Sequence, residues 1–257
     1  MIEPGALLDP TYLAMRESLM PASFRPKDRL FVALDVPTVD AARRLVEALG
    51  DCVSHYKIGL ELVFGGGLDF ALGLKAAGSS VFLDMKLLDI GNTVEKATAN
   101  VARTGVDYLT VHGHDRKTLD AAVRGRGDNK LKLLAVTVLT NLDQNDLREQ
   151  GVASLSPADL VVHRAKLAKA AGFDGVIASG QEAAPVRAAV GPDFLIVTPG
   201  IRAAGAETGD QARAVTPLIA MRAGATHLVV GRPITGAADP KAAAAAIINE
   251  ISAAEHN

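Results

Sequence analysis

Short apolar runs rich in β-branched residues recur along this chain, and each is followed by a longer stretch in which alanine and leucine return at helical spacing. The strand-like runs fall at 30–36, 55–62, 80–87, 107–112, 132–139, 175–178, 194–198 and 227–230. Helical stretches fall at 39–49, 68–77, 94–104, 116–123, 157–171, 184–189, 210–223 and 240–254. A strand followed by a helix, repeated, requires parallel neighbours joined by crossovers. Eight such units over about 225 residues match a closed (β/α)8 barrel, whereas an open doubly wound sheet has five or six strands. No Gly-x-Gly-x-x-Gly follows the first run, where V-A-L-D-V-P stands instead. The expected organisation is α/β: one (β/α)8 TIM-barrel catalytic domain over 29–257, preceded by an appendage at 1–28. In the appendage Asp9 and Pro10 read as the cap and first residue of a short helix, which Pro21 and Pro26 end.

One stretch violates the pattern. Residues 80–93, S-V-F-L-D-M-K-L-L-D-I-G-N-T, begin as a buried strand and then place charges where a core strand should have none. Strand alternation puts Asp84 and Lys86 on one face and Leu83, Met85 and Leu87 on the other, with Asp89 beyond the strand end. A neutralised pair is one reading of Asp84 and Lys86.

Barrels of this architecture carry their chemistry at the C-terminal ends of the strands, and here nearly every strand ends in polar residues. They are Asp35, then Lys57 and Glu61, then Asp84, Lys86 and Asp89, then His112 and His114, then Thr140 and Asn141, then Ser179. Strands seven and eight run into T-P-G-I-R (198–202) and G-R-P-I-T (231–235). There Gly200 and Gly231 admit an anion to the backbone and Arg202 and Arg232 offer forked donors, as expected of a phosphate site on the last two loops. Lys57, Lys86, Asp35 and Asp84 sum to zero charge. A structural ionic layer is the alternative, but apolar residues usually stabilise a core as well or better, which favours function.

Composition narrows the classes. With 257 residues, 49% of them hydrophobic, the chain can bury a large core. The 27 basic and 29 acidic residues leave a net charge of -2, which makes no broad case for nucleic acid or an anionic membrane as partner. Tryptophan is absent and aromatics reach only 4%, too few for base-stacking platforms. Cys52 is the single cysteine, so no internal disulfide and no cysteine-rich metal site can form. The start, with Glu3 and Asp9, lacks the features of a secretion signal, and no run has the length of a membrane span. A soluble cytoplasmic protein is expected. His112 and His114 lack a clear third ligand, so a structural or hydrogen-bonding role is expected of them rather than a metal.

From Leu30 to about Ile251 the chain resembles the orotidine 5'-phosphate decarboxylase family. The motifs are A-L-D (33–35), K-I-G (57–59), F-L-D-M-K-L-L-D-I-G-N-T (82–93), V-T-P-G-I-R (197–202), G-D-Q (209–211) and V-V-G-R-P-I-T (229–235). The resemblance implies conversion of orotidine 5'-monophosphate to uridine 5'-monophosphate without cofactor or metal, in a homodimer with shared active sites. It implies that Asp84 and Lys86 flank the carbon that loses carbon dioxide, that Lys57 and Asp35 hold the ribose side, and that Asp89 serves the partner subunit's site. It assigns the phosphate to Arg232, Gly231, Arg202 and the turn at Gly200, with Gln211 bridging phosphate and base. Thr140 is assigned to the base, Thr93 to the ribose across the dimer interface, and Ile90 and Pro199 to the substrate as well. The segment 203–210 is the expected lid. Two alternatives remain: a magnesium-dependent sugar-phosphate decarboxylase or aldolase of the same superfamily, its metal held by Glu61 and Asp84, and a silent nucleotide-binding barrel.

Overall fold

The computed structural model describes residues 24–202 and 215–255. A 3-10 turn, Pro26–Arg29, leads into eight parallel strands: β1 Leu30–Ala33, β2 His55–Gly59, β3 Ser80–Leu87, β4 Tyr108–His112, β5 Lys132–Val136, β6 Gly175–Ile177, β7 Leu195–Thr198 and β8 His227–Val230. They close in sequence order, β8 pairing with β1 through Leu30 opposite Leu228 and Val32 opposite Val230. The expected barrel is therefore present. The expected appendage helix at 9–20 lies outside the described residues.

Each strand has one row of side chains in the barrel and one under the helices, because successive side chains alternate across the sheet. The outward row, including Leu30, Val32, Ile58, Val81, Leu83, Leu109 and Leu133, joins the helix faces in the larger core. Inward-facing Phe31, Phe82, Tyr108, Leu134, Leu195 and Val197 form a separate cluster that fills the barrel. Phe31 sits at its centre, with ring centroids 5.1 Å from Tyr108 and 5.5 Å from Phe82 in edge-to-face geometry.

Helices begin where the chain supplies caps. Thr38, Asp115 and Ser156 accept from the backbone N–H groups of Ala41, Thr118 and Asp159, starting Val39–Leu49, Arg116–Arg126 and Pro157–Ala171. Four strands end earlier than their apolar runs suggest: β1 stops at Ala33, β2 at Gly59, β5 at Val136 and β6 at Ile177. The remaining apolar residues, such as Leu34, Leu62 and Val138, are still buried, but on backbone that has left the sheet to form the rim. Two short helices, Gln144–Glu149 and Arg232–Thr235, have no counterpart in the sequence pattern, and the helix expected at 210–223 is Pro217–Arg222 among the described residues, capped by Thr216 in extended backbone. Among the described residues no helix is long and apolar enough to cross a membrane.

Candidate active site

The inward alternation that builds the aromatic filling continues upward and becomes polar. Two residues beyond His55 on β2 stands Lys57; beyond Phe82 on β3, Asp84; beyond Tyr108 on β4, Thr110. Above the filling opens a cleft of about 470 Å3 with Phe82 in its lining. Asp35, Lys57, Asp84, Lys86, Thr140, Pro199, Arg202, Gly231 and Arg232 all line it. Nine of the thirteen site residues expected from sequence thus share one concavity, and Glu61 joins them.

The charges are arranged as a chain. Lys57 Nζ donates to Asp35 Oδ1 at 2.8 Å and to Asp84 Oδ2 at 3.4 Å, and Lys86 Nζ donates to the same Asp84 Oδ2 at 2.8 Å. Its ends are open and its middle is covered: the side chain of Asp35 is 47% exposed, Lys57 8%, Asp84 13% and Lys86 33%. Burial alone would push the Asp84 carboxyl up, but the charges of Lys57 and Lys86 and hydrogen bonds from Lys86 and Thr110 hold it below the usual carboxylate range. Burial likewise pulls Lys57 down, and Asp84 and Asp35 together outweigh it, leaving the ammonium raised. Asp84 is thus held toward its anionic form, shared between Lys57 and Lys86.

Alternation brings Asp84 and Lys86 to one face, as expected, but the strand that carries them is not regular. Leu83 pairs with Leu109 and Leu87 with Val111, so Asp84, Met85 and Lys86 of β3 span the interval that Thr110 alone spans on β4. At the end of that bulge Lys86 adopts φ 48°, the one positive φ outside glycine among the described residues. Thr110 ties the bulge together: its hydroxyl donates to Asp84 Oδ1 and accepts from the Lys86 N–H, each at 2.9 Å. Sequence reasoning missed Thr110, since a threonine in a strand is ordinary. Gly59 is also informative, because a Cβ there would lie 2.8 Å from Asp35 Oδ1 and 3.0 Å from Lys57 Nζ. Its missing side chain leaves the room in which that ion pair forms.

At the far side of the cleft Gly200, at φ 76°, turns β7 toward Arg202. The Arg202 guanidinium is pushed down by burial and by the like charge of Arg232, so the two cations are near one another on one wall. An anion is favoured there. Ile201 bridges Val215, so the chain leaves this wall and returns to it at nearly the same point. Gln211 and the segment expected as a lid, 203–210, lie outside the described residues.

Three expected site residues do not line their own cleft. Asp89, Ile90 and Thr93 follow β3 at the start of the helix Gly91–Arg103; all three are exposed, Ile90 by 73%, and Asp89 Oδ1 accepts from the Ile90 N–H. His112 and His114 stack at 4.6 Å between ring centroids, and burial, helped by His114 and Lys86, pushes His112 down to about 4. Among the described residues no three His, Cys, Asp or Glu side chains are grouped to hold a metal. Asp84, the expected magnesium ligand of the sugar-phosphate alternative, has both oxygens engaged by Lys57, Lys86 and Thr110.

Comparison with known proteins places this arrangement. The family described as orotidine 5'-phosphate decarboxylase / HUMPS matches residues 28–247. An orotidine 5'-phosphate decarboxylase of Methylobacterium nodulans is 55% identical over 91% of this chain and 100% of its own length. That of Methylobacterium sp. strain 4-46 is 56% identical over 89% of this chain and 98% of its own. Among solved structures, the orotidine 5'-phosphate decarboxylase of Lactobacillus acidophilus superposes with a TM-score of 0.76 at 38% identity, covering 86% of this chain and 98% of that one. With its charged chain beneath a cationic wall in an eight-stranded barrel, this chain belongs to the orotidine 5'-phosphate decarboxylase / HUMPS family.

Proposed function

We infer that this chain decarboxylates orotidine 5'-monophosphate to uridine 5'-monophosphate and carbon dioxide, a step of pyrimidine biosynthesis, and that it does so in the cytoplasm. The observation that carries the reading is the Asp84 carboxylate held between Lys57 and Lys86 inside a cleft with Arg202 and Arg232 on its wall. In this reading the cationic wall takes the phosphate, with Gly231 and the turn at Gly200, while Thr140 and Pro199 contact the base. Gln211 bridges base and phosphate. Asp35 and Lys57 hold the ribose.

The reacting carbon then lies over Asp84 and Lys86. Loss of carbon dioxide leaves an electron pair at pyrimidine C6, and the Lys86 ammonium, already oriented by Asp84, stabilises that carbanion and gives it a proton. An ionised Asp84 about 4 Å from the substrate carboxylate is repelled by about 4 kcal/mol at an effective dielectric of about 20, before the lysines are counted. That repulsion supplies part of the barrier reduction; holding Lys86 is the larger contribution of Asp84. No step calls for a metal or cofactor.

Asp89, Ile90 and Thr93 are read as serving a partner subunit, since they are exposed and outside their own cleft, beside exposed Leu88. Lys86 then lies between Asp84 and the neighbour's carboxylate. Mixing subunits tests this: with Lys86→Ala and Asp89→Asn each inactive alone, random exchange restores about a quarter of the sites, because half the dimers are mixed and each has one intact site. No recovery refutes sharing. The reaction itself is followed as loss of orotidine monophosphate absorbance in excess EDTA. Turnover is expected; none under those conditions removes the assignment in favour of the magnesium-dependent alternative.

A further inference from the structure

The site contains a device that the charged residues do not explain: a bulge in β3 whose Asp84 side chain and Lys86 backbone are both tied to one hydroxyl of β4. We propose that Thr110 is a positioning residue for the decarboxylation, setting Asp84 and Lys86 against each other by hydrogen-bonding to both at once. The inference rests on the decarboxylase reading of the site.

Thr110 is fully buried, so its hydroxyl has no water to turn to. Its proton goes to Asp84 Oδ1 and its lone pair accepts the Lys86 N–H, each at 2.9 Å. Both functions of the group are used, and on residues two apart in the bulge. With Oδ1 fixed, Oδ2 is the oxygen left for the two ammonium groups, at 2.8 Å from Lys86 Nζ and 3.4 Å from Lys57 Nζ. With the Lys86 N–H fixed, its backbone is held at φ 48°, which side-chain-bearing residues rarely adopt. The hydroxyl thus sets the direction of the carboxylate and the direction of the ammonium, from a position that does not itself line the cleft.

Valine matches threonine in shape and removes both bonds. In Thr110→Val, kcat is expected to fall about 10- to 100-fold with KM and uridine monophosphate affinity within about threefold, since the phosphate wall is untouched. Its kcat profile is expected to lose activity at higher pH on the acid side, because Asp84 loses one of the bonds that keep it ionised. Thr110→Ser, which restores the hydroxyl without the methyl, is expected to return kcat to within about threefold of the parent. If the valine variant does not fold, Thr110→Ala carries the same expectations. Unchanged kcat in the variants lacking the hydroxyl overturns the proposal, as does a serine variant that falls as far as they do. Lys86→Ala separates the two levels. If it is inactive while Thr110→Val is not, only the positioning role fails; if it turns over normally, the reading of the site fails and Thr110 with it.

Discussion

The two ends of the barrel interior solve the problem of a buried ionisable group in opposite ways. At the C-terminal rim, Lys57 and Asp84 are nearly covered and both keep their charge, because each has an opposite charge and hydrogen bonds within reach. At the N-terminal base, His227 is wholly covered and gives its charge up: burial, aided by His55, Lys132 and Arg29, pushes it down to about 3. Its Nδ1 meets the Thr226 hydroxyl at 3.0 Å, Nε2 has no hydrogen-bond partner among the described residues, and the rings of Phe24 and Phe31 pack on it. Burial is similar at the two ends, so partners decide whether a charge survives. Charges kept at such expense belong to chemistry, and a neutral histidine among aromatic rings belongs to packing.

The sharpest way to break that contrast is at the rim. Lys86→Ala is expected to lower kcat by at least about 10^4-fold, because in the proposed reaction it removes both the proton donor and the cation facing the carbanion. Product affinity should stay within about tenfold, measured by titration with uridine monophosphate. Asp84→Asn should lower kcat by about 10^3-fold while leaving Lys57 and Lys86 facing one another without their shared anion. A crystal structure of that variant decides its cause. Lys86 displaced is the expected result, and Lys86 in place with the same loss makes repulsion of the substrate carboxylate the main contribution. Arg232→Ala is expected to reduce kcat/KM by about 10^2-fold for the nucleotide. With orotidine, which lacks the phosphate, parent and variant should be equal; a loss there would mean that Arg232 acts on something else.

The contrast also explains what could be read from sequence. Strand and helix patterns follow from burial on one face, and burial is written in residue type, so the barrel and its eight strands were legible. Charges inside a strand, as at Asp84 and Lys86, were legible for the same reason, being exceptions to it. The bulge was not, because nothing in D-M-K marks a positive φ at lysine. Thr110 and Gly59 were missed as partners, since their roles lie in distances to Asp84, Lys86, Asp35 and Lys57 that only the closed barrel defines. His227 was read only as the start of a strand, and its neutrality depends on five neighbours from elsewhere in the chain.

The base offers the smallest but cleanest perturbation. An unfolded histidine titrates near 6.5, while folded His227 resists protonation until about 3, so between these values the unfolded chain binds the extra proton. The stability is therefore fully present above about pH 6.5 and is lost as pH falls, by about 2 kcal/mol from this one group between pH 7.5 and pH 5. His227→Leu removes the proton-binding difference and fills the same apolar site, so in urea titrations the acid loss should shrink by about that amount. His55 and His112, also pushed down by burial, keep their own share of it. Turnover at pH 7.5 should stay within about twofold, because the change lies at the end of the barrel away from the charged array. Equal acid sensitivity in parent and variant would mean that His227 is protonated in the folded protein, and the base would then hold a buried charge as the rim does.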